Sequence, residues 1–358
     1  RAIAEKIVER LDLRPGETFL AVAHPGHFEE LMPHLRYEVM KAGAVDLGVM
    51  DVLAEPVPEN WRKAVLADGG AAARDALGTL LEDVDASIML PGAVPGQPVY
   101  AAIQDNLRRG LGRTIHFHWL GNGSAIALPG QPLPPTHVLE ATYQRALLAT
   151  DYAALARSQR RFEEAMRGGE VRVTSPAGTD IRFRIGDRPV NRQDGDASAA
   201  RTNEGEVLID REIELPSGVV RVAPLEASVN GMIAFPPSQW SGRPVDGLVL
   251  TFEEGVVTAV TADAGQDAVE AEMAGAGTAG RAFREFALGF NPLLAVPDEQ
   301  PWIPYYGRGA GVVRLSLGDN SELGGDVTGG YVRWNFFTDT TVTVDGEVWV
   351  KGGRLAKR

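Results

Sequence analysis

The histidines are the side chains of this sequence whose spacing most directly indicates chemistry. His116 and His118 alternate within "RTIHFHWLG", a stretch with the composition of a strand, so both imidazoles face the same side of it. Such a pair could bind a metal ion, act as acid and base, or simply pack against a neighbouring helix or subunit. His24 and His27 lie in the turn after the first predicted strand, a common ligand position. The glutamates of this stretch, Glu29 and Glu30, follow both histidines, so the stretch is not the His-Glu-x-x-His zinc motif.

The second half of the chain lacks histidine and cysteine, the usual ligands of a transition metal. No histidine follows His137, and the sequence contains no cysteine. A metal site there would depend on carboxylates and water, which suit Mg²⁺, Ca²⁺ or Mn²⁺ better than Zn²⁺ or Fe²⁺. The Gly-rich "GNGSAIALPG" lacks the spacing of a P-loop or dinucleotide motif, and no Gly-x-Ser-x-Gly elbow indicates a serine hydrolase.

The composition excludes several classes of partner. A net charge of −13 over 358 residues opposes binding to nucleic acid through a general basic field. The lack of cysteine excludes disulfides and a thiolate nucleophile, and it suits a cytoplasmic protein. No apolar run reaches the roughly 18–20 residues of a membrane span. The opening "RAIAEKIVERLDLRPGE" predicts an amphipathic helix rather than a signal peptide, so we expect a cytoplasmic protein without a membrane partner.

The elements that must hold these side chains fall into two parts. Up to residue 169, strands such as "TFLAVAH" alternate with helices such as "FEELMPHLRYEVMKAG", which predicts a doubly wound α/β domain with trailing helices. From residue 170 to 358, period-two alternation predicts a β-rich domain with one inserted helix, "DAVEAEMAGAGTAGRAFREFA". The polar stretch 186–205 is predicted to be a long loop with a functional role. The predicted fold class is therefore α/β followed by α+β.

Four blocks of the second part occur in an order that matches a known family. They are "VRVTSPAGTDIRFRIGDRPVNRQDGD", "ELPSGVVRVAPLEASVNGMIAF", "REFALGFNP" and the C-terminal run from "GVVRLSLG" to "VDGEVWVKGGRL". Over residues 170–355 the chain resembles the aminopeptidase T and aminopeptidase S family of dinuclear metallopeptidases. The resemblance implies the scaffold of that family, which is shared by 2,5-dihydroxypyridine dioxygenase, an iron enzyme that opens a pyridine ring. It also implies a homodimer.

The resemblance breaks down at the metal ligands. The family's Glu in "PxGEVFxAP" corresponds to Val219 in "PSGVVRVAP", whereas the Glu before "GxNP" is retained as Glu285. The His in "GTVHIALG" corresponds to Arg314, and the "HxD" pair corresponds to Arg333 and Asn335. Of the family's five metal ligands only Glu285 therefore remains. The iron site of the dioxygenase depends on similar positions, so its ligands are missing as well. Because arginine stays protonated and has no lone pair for a metal, the metal-dependent mechanism does not transfer.

Cationic side chains stand where the family has cationic metals. In the family, two dications and three carboxylates give the metal site a small net positive charge. In this chain Glu285, Arg314 and Arg333 together also carry a small net positive charge, even before Arg221 is counted. Random loss would more often leave small or apolar residues, because an unpaired buried charge is costly. We therefore predict a pocket for an anion. The alternative is that the arginines pair with Glu285 or Asp319 and fill the pocket with internal ion pairs.

The predicted site combines an acid–base group with cationic and aromatic binding groups. Glu285 is predicted to be the general base or acid, and Tyr305 or Tyr306 the proton donor. Arginine forks bind carboxylates and developing oxyanions, and aromatic rings hold flat or peptide-like ligands. The aromatic residues could equally be plain core. The predicted substrate-binding residues are Arg221, Arg308, Arg314, Arg333, Trp334 and Asn335.

Three functions are compatible with these residues. The sequence favours a metal- and cofactor-independent enzyme that hydrolyses or rearranges an amide, lactam or ring bond in a small carboxylate-bearing or peptide-like substrate. The second is a non-catalytic protein that binds a peptide or small ligand on the same scaffold. The third is a metal-dependent aminopeptidase or ring-cleaving dioxygenase with relocated ligands, recruited from His116, His118 or carboxylates such as Glu285, Asp319 and Asp326.

Overall fold

The computed structural model describes residues 1–52, 68–93, 97–119 and 124–356, which form two compact units. The sequence predicts one division, between residues 169 and 170, whereas each unit combines three segments of the chain. The first unit contains Arg1–Ser124, Tyr143–Ala149 and Gly195–Ser217, and the second contains Ala125–Thr142, Thr150–Asp194 and Gly218–Arg358.

The helices and strands of the described residues are as follows. The helices are α1 Ala2–Leu11, α2 Met32–Lys41, α3 Asp68–Leu80, α4 Pro98–Arg108, α5 Thr136–Ala149, α6 Tyr152–Gly168, α7 Ala199–Asn203 and α8 Gln266–Gly275. The strands are β1 Thr18–Ala23, β2 Val45–Asp51, β3 Ala86–Met89, β4 Arg113–Phe117, β5 Ile126–Ala127, β6 Val171–Thr174, β7 Asp180–Phe183, β8 Val190–Gln193, β9 Glu212–Leu215, β10 Val219–Val222, β11 Asn230–Ala234, β12 Ser238–Trp240, β13 Arg243–Val245, β14 Val249–Glu253, β15 Val256–Thr261, β16 Phe283–Gly289, β17 Trp302–Ile303, β18 Val313–Gly318, β19 Val332–Arg333, β20 Phe336–Phe337, β21 Thr341–Val344, β22 Glu347–Lys351 and β23 Arg354–Leu355. Over these described ranges, no helix is both long and apolar enough to cross a membrane.

The first unit is built on a five-stranded parallel sheet in the order β2-β1-β3-β4-β9. Its central strands are almost fully buried, as expected where helices cover both faces of a parallel sheet. Helix α4 contributes Tyr100 and Ile103 to a core that also contains Leu20, Val22 and Met89. The carboxyl ends of the parallel strands lie at one edge of the sheet, where side chains of successive strands meet.

The second unit contains two large antiparallel sheets and two two-stranded ones, β12-β13 and β17-β5. One large sheet has the order β19-β18-β16-β10-β8, with β20 also pairing with β18, and the other has the order β15-β14-β11-β7-β6-β21-β22-β23. Helix α6 presents Phe162 to a single large apolar core, where its ring contacts those of Phe286, Phe290 and Trp349 at centroid distances of 5.1–6.2 Å. With the parallel sheet of the first unit, this confirms the predicted combination of α/β and α+β architecture.

Two local predictions differ from the structure. The predicted loop 186–205 contains strand β8 and helix α7, because "VNRQ" pairs with β10 and Ser198 caps the helix by accepting a hydrogen bond from the Arg201 amide. The predicted helix after residue 266 ends at Gly275, and "FREFALG" forms the buried strand β16 instead. Antiparallel partners on both sides, β10 and β18, satisfy its backbone and override the local helical pattern.

Shortening Phe162 tests how far the second unit depends on helix α6. Phe162→Ala removes a ring that is 0% exposed, so we expect the free energy of unfolding to fall by about 3–5 kcal/mol, from lost burial and the residual cavity. The matched control is Arg161→Ala, next to it on the exposed side of the same helix, which is expected to change stability by less than about 0.5 kcal/mol. Chemical denaturation gives both values. Equal effects of the two variants would show that the contact between α6 and the sheets is not a stabilising one.

Candidate functional site

Three neighbouring strands of the six-stranded sheet position the charged residues. Arg221 on β10 lies opposite Ala287 on β16, which lies opposite Arg314 on β18, so the three form one row across the sheet. Glu285 lies opposite Ser316, two residues further along the same strands, and therefore projects from the same face. The small side chain of Ala287 leaves the space between the two arginines to the carboxylate of Glu285.

Glu285 is the centre of a buried ion cluster. Its side chain is 0% exposed, and one carboxylate oxygen, Oε2, accepts a hydrogen bond from Nε of Arg221 at 3.0 Å. Nη2 of Arg221 lies 2.9 Å from the same oxygen. The other oxygen, Oε1, lies 2.7 Å from Nε of Arg314 and accepts a hydrogen bond from the Ser316 hydroxyl at 3.3 Å. Both carboxylate oxygens of Glu285, the residue that the resemblance matches to a family metal ligand, are thus in contact with neighbouring side chains.

A second carboxylate extends the cluster toward solvent. Glu322 accepts a hydrogen bond from Nη2 of Arg221 at 2.7 Å and pairs with Arg284, which is 2% exposed. The cluster therefore contains three guanidinium groups and two carboxylates, and it carries a net positive charge when all are ionised. Sequence reasoning did not identify Glu322 or Arg284, because neither lies at a family ligand position. The only available signal was the surplus of arginine on β10, β16 and β18.

The ion pairs determine the protonation states in the cluster. Burial alone would raise the pKa of Glu285, but the charges of Arg221 and Arg314 lower it below its ordinary value. The charges of Glu285 and Glu322 outweigh burial and raise the pKa of Arg221. Burial, with the like charges of Arg221 and Arg284, lowers the pKa of Arg314 to about 10 against the attraction of Glu285. At neutral pH Glu285, Arg221 and Arg314 are therefore charged, and Glu285 is a weak base.

Arg333 has partners of its own beside this cluster. Its Nη1 lies 2.8 Å from Oε1 of Glu272, its Nη2 donates to a backbone oxygen at 2.7 Å, and its guanidinium lies 3.5 Å from the ring centroid of Trp240. Nε of Arg333 donates to Oδ1 of Asn335 at 3.2 Å, and the amide of Asn335 donates to the backbone of β18. Arg333 therefore orients Asn335 and is itself held by Glu272. No pattern in the sequence indicates this role for Glu272.

The predicted aromatic residues surround the arginines. The ring of Trp334 lies 4.6 Å from the guanidinium carbon of Arg314, a cation–π contact, and its edge meets Tyr306 at 5.9 Å. Arg308 lies over the ring of Tyr305 at 5.3 Å. Burial, with the like charge of Arg314, lowers the pKa of Arg308.

The two predicted proton donors are buried in an unusual backbone conformation. Tyr305 is 0% exposed and Tyr306 is 8% exposed. They have φ angles of +43° and +52°, which cost energy for residues other than glycine and are found most often at functional sites. Trp334, by contrast, is 40% exposed and reaches solvent.

A cleft of about 470 Å³ opens beside this cluster, within the second unit. One wall is apolar, with Phe235, Pro236, Ile303 and the ring of Trp334. The polar lining residues are Ser238, Gln239, Asp246, Arg333 and Asn335. Of the predicted site residues, the structure brings Arg333, Trp334 and Asn335 to the cleft, while Arg221, Glu285 and Arg314 lie in the buried cluster.

The residues that the resemblance matches to the family's metal ligands do not fit a metal ion. Val219 has no donor atom, and Glu285 has both oxygens in contact with Arg221, Arg314 or Ser316. The positively charged guanidinium groups oppose a divalent cation at this point, since arginine offers hydrogen-bond donors and no lone pair. The guanidinium N–H donors are suited to anionic partners, and the carboxylates of the cluster already serve as those partners.

The comparisons with known proteins agree with this scaffold. The model of the Thermophilic metalloprotease (M29) family matches residues 152–292. Among solved structures, 2,5-dihydroxypyridine dioxygenase from Pseudomonas putida has a TM-score of 0.64 at 15% identity, over 99% of this chain and 96% of the other. Wild-type AmpT from Thermus thermophilus has a TM-score of 0.64 at 17% identity, over 99% of each chain. None of the curated proteins matches the chain significantly. The predicted resemblance to the aminopeptidase T-like scaffold is thereby confirmed.

Neutralising Glu285 tests the ion cluster. Glu285→Gln leaves Arg221 and Arg314 buried without their shared carboxylate, so we expect the free energy of unfolding at pH 7 to fall by about 3–5 kcal/mol. Glu299→Gln, at an exposed position, is the matched control for the loss of one negative charge. Denaturant titration of both variants gives the comparison. A loss no larger than that of the control would contradict the view that the cluster holds these strands together.

The stability difference between wild type and Glu285→Gln depends on pH with a defined sign. Because the folded-state pKa of Glu285 is lowered, its contribution is complete above the ordinary value of 4.5 and is lost as the pH falls from there through the folded-state pKa. The advantage of the wild type should therefore be constant from about pH 8 to pH 5 and shrink below pH 4.5. Other carboxylates cancel in the difference. An advantage that grows on acidification would reverse the assignment.

Proposed function

We propose that the second unit, whose scaffold resembles the thermophilic metalloprotease (M29) family, binds a small peptide-like ligand in the cleft beside Trp334 without using a metal ion. The observation that carries the proposal is the joint position of an exposed tryptophan and a fixed polar pair at one cleft. Trp334 supplies aromatic surface, and the orientation of Asn335 is set by Arg333. An apolar wall with a few fixed polar groups is the usual composition of a small-molecule site.

The ligand class follows from the lining. Phe235, Pro236 and Trp334 suit an apolar or aromatic side chain. Arg333 uses three of its five N–H donors on Glu272, Asn335 and a backbone oxygen, so its positive charge is already largely balanced. A carbonyl or a single carboxylate oxygen is the group this end of the cleft accommodates, rather than a phosphate. We therefore propose an N-acylated or peptide-like hydrophobic amino acid as the ligand.

Metal independence is supported by the same residues that replace the family's ligands. Because arginines occupy both oxygens of Glu285, a cation at this position would have to displace ion pairs that are already formed. General base catalysis by Glu285, which the sequence favoured, also requires a pKa near the working pH. The neighbouring arginines lower the pKa of Glu285. The geometry thus favours binding over catalysis by Glu285.

Hydrolysis of the bound amide is the second candidate, and one observation favours it. Asp246 lines the same cleft as Arg333 and Asn335 and is exposed to solvent, so a carboxylate that could activate water stands beside groups that could hold a carbonyl. In this version the arginine cluster remains structural, and the acid–base group is one that the sequence reasoning missed. The scaffold, shared with AmpT, is compatible with hydrolysis.

Calorimetric titration with N-acetylated phenylalanine, leucine and alanine, and with their carboxamides, tests the proposal. We expect the aromatic and large apolar probes to bind, and Trp334→Ala to weaken them about tenfold, or roughly 1.4 kcal/mol, through lost stacking area. Val348→Ala, an apolar position with similar exposure away from the cleft, should bind like wild type. Addition of a chelator should leave the affinity unchanged.

The outcomes separate the alternatives. Equal binding by Trp334→Ala and Val348→Ala would remove the cleft as the site, and loss of binding in chelator would overturn metal independence. Chromatographic detection of free amine or amino acid during the same incubations decides between binding and hydrolysis. Probe binding without product supports the non-catalytic function, whereas product formation supports the second candidate.

A further inference from the structure

A cluster of potential metal ligands lies in the first unit, on strands β4 and β9. These strands are parallel neighbours, and their register places His116 opposite Glu214 and Thr114 opposite Glu212. His118 follows β4 directly and donates its backbone N–H to the Leu215 carbonyl, which extends the pairing past the end of the strand. That hydrogen bond measures 3.1 Å. Because residues two apart on a strand project from the same face, the imidazoles of His116 and His118 lie on one side of the sheet.

The distances between the side chains match those of ligands to a single ion. One potential ligand atom each from His116, His118 and Glu214 lies within 4.8 Å of the others, the only such group of three in the described part of the chain. The two imidazole rings are 3.8 Å apart with an interplanar angle of 36°. Nε2 of His118 lies 3.4 Å from Oε1 of Glu214. The three side chains are 15–19% exposed, so the cluster is partly shielded and still open to solvent.

A second carboxylate fixes the orientation of His116. Tyr100 and Gln104 lie one turn apart on helix α4, and both donate to Glu212. The hydroxyl oxygen of Tyr100 lies 2.8 Å from Nδ1 of His116. The hydroxyl of Tyr100 has one proton, and it donates this proton to Glu212. In the contact between Tyr100 and His116 the proton must therefore be on Nδ1, which donates to the hydroxyl oxygen. The lone pair of His116 is then on Nε2, the nitrogen available to a metal.

This arrangement is the one by which proteins orient a histidine ligand. A metal-binding imidazole usually donates its other N–H to a carboxylate or to a group hydrogen-bonded to one, which fixes the ring and its tautomer. Oε1 of Glu212 also lies 3.2 Å from Nδ1 of His116, so this carboxylate holds the ring in that orientation.

We propose that His116, His118 and Glu214 bind one divalent transition-metal ion, with Glu212 and Tyr100 positioning His116. Two imidazoles and one carboxylate suit Zn²⁺, Co²⁺ or Fe²⁺ better than Mg²⁺ or Ca²⁺, which prefer oxygen ligands. Three protein ligands leave room for water in the remaining coordination position. This site is separate from the arginine cluster, which lies in the second unit and whose carboxylates are paired with guanidinium groups.

The test uses the full chain without a polyhistidine tag, stripped with chelator and titrated with Co²⁺ and Zn²⁺. We expect one equivalent of Co²⁺ to produce visible d–d absorption, and calorimetry to give one equivalent of Zn²⁺. His118→Asn and Glu214→Gln should each lose that equivalent, and Glu212→Gln should weaken binding about 10–100-fold by removing the positioning carboxylate. His27→Asn is the matched control, because His27 stacks on His24 at 4.4 Å and could bind metal adventitiously.

Each outcome supports or overturns the site. Retained stoichiometric binding in both His118→Asn and Glu214→Gln, or loss in His27→Asn alone, would overturn it. If a variant fails to fold, the wild-type midpoint of thermal unfolding still decides, since one equivalent of Zn²⁺ should raise it and no shift would contradict specific binding. Trp334→Ala should bind Zn²⁺ like wild type, and His118→Asn should keep the affinity of the cleft for its probes. Failure here is therefore distinguishable from failure of the proposed function.

Discussion

The carboxylate of Glu285 is the constraint on which the second unit's site depends. A carboxylate that is 0% exposed is tolerated only when cations and hydrogen-bond donors surround it, because an uncompensated buried charge costs several kcal/mol. Arg221, Arg314 and Ser316 meet that requirement from the two flanking strands. In a metal-binding relative the same requirement would be met by a metal ion. The retained glutamate therefore explains why its neighbours are cationic rather than small or apolar.

The arginines in turn require partners beyond the original site. Three guanidinium groups around one carboxylate would repel each other, and Glu322 offsets this by pairing with Arg221 and Arg284. Arg333, which is further from Glu285 along the sheet, pairs with Glu272 and stacks on Trp240. The arginines thus depend on a network of surrounding carboxylates and aromatic rings. Function must be argued from this network and from the cleft, since a fold of this kind supports different chemistries.

The sequence was sufficient for the fold and for part of the site. Strand and helix alternation gave the parallel sheet, and four ordered blocks gave the scaffold of the second unit. The sequence also identified Glu285, Arg221 and Arg314 as neighbours, and it named internal ion pairing as an alternative to an anion pocket. It missed strand β8 and the strand character of β16, because pairing with distant strands decided their conformation. It also missed Glu322 and Glu272, whose partners lie tens of residues away and leave no local pattern.

His116 and His118 show the same limit of a local sequence pattern. Alternation within β4 indicated that His116 and His118 share a face, but it could not distinguish packing from ligation. What decides between these is the neighbouring strand, because β9 brings Glu214 and Glu212 alongside after about a hundred intervening residues, most of which belong to the second unit. One of these carboxylates lies beside the imidazoles, and the other sets the tautomer of His116 through Tyr100. The imidazoles of β4 thus face carboxylates in the first unit, whereas the carboxylates of the second unit's cluster are paired with arginines.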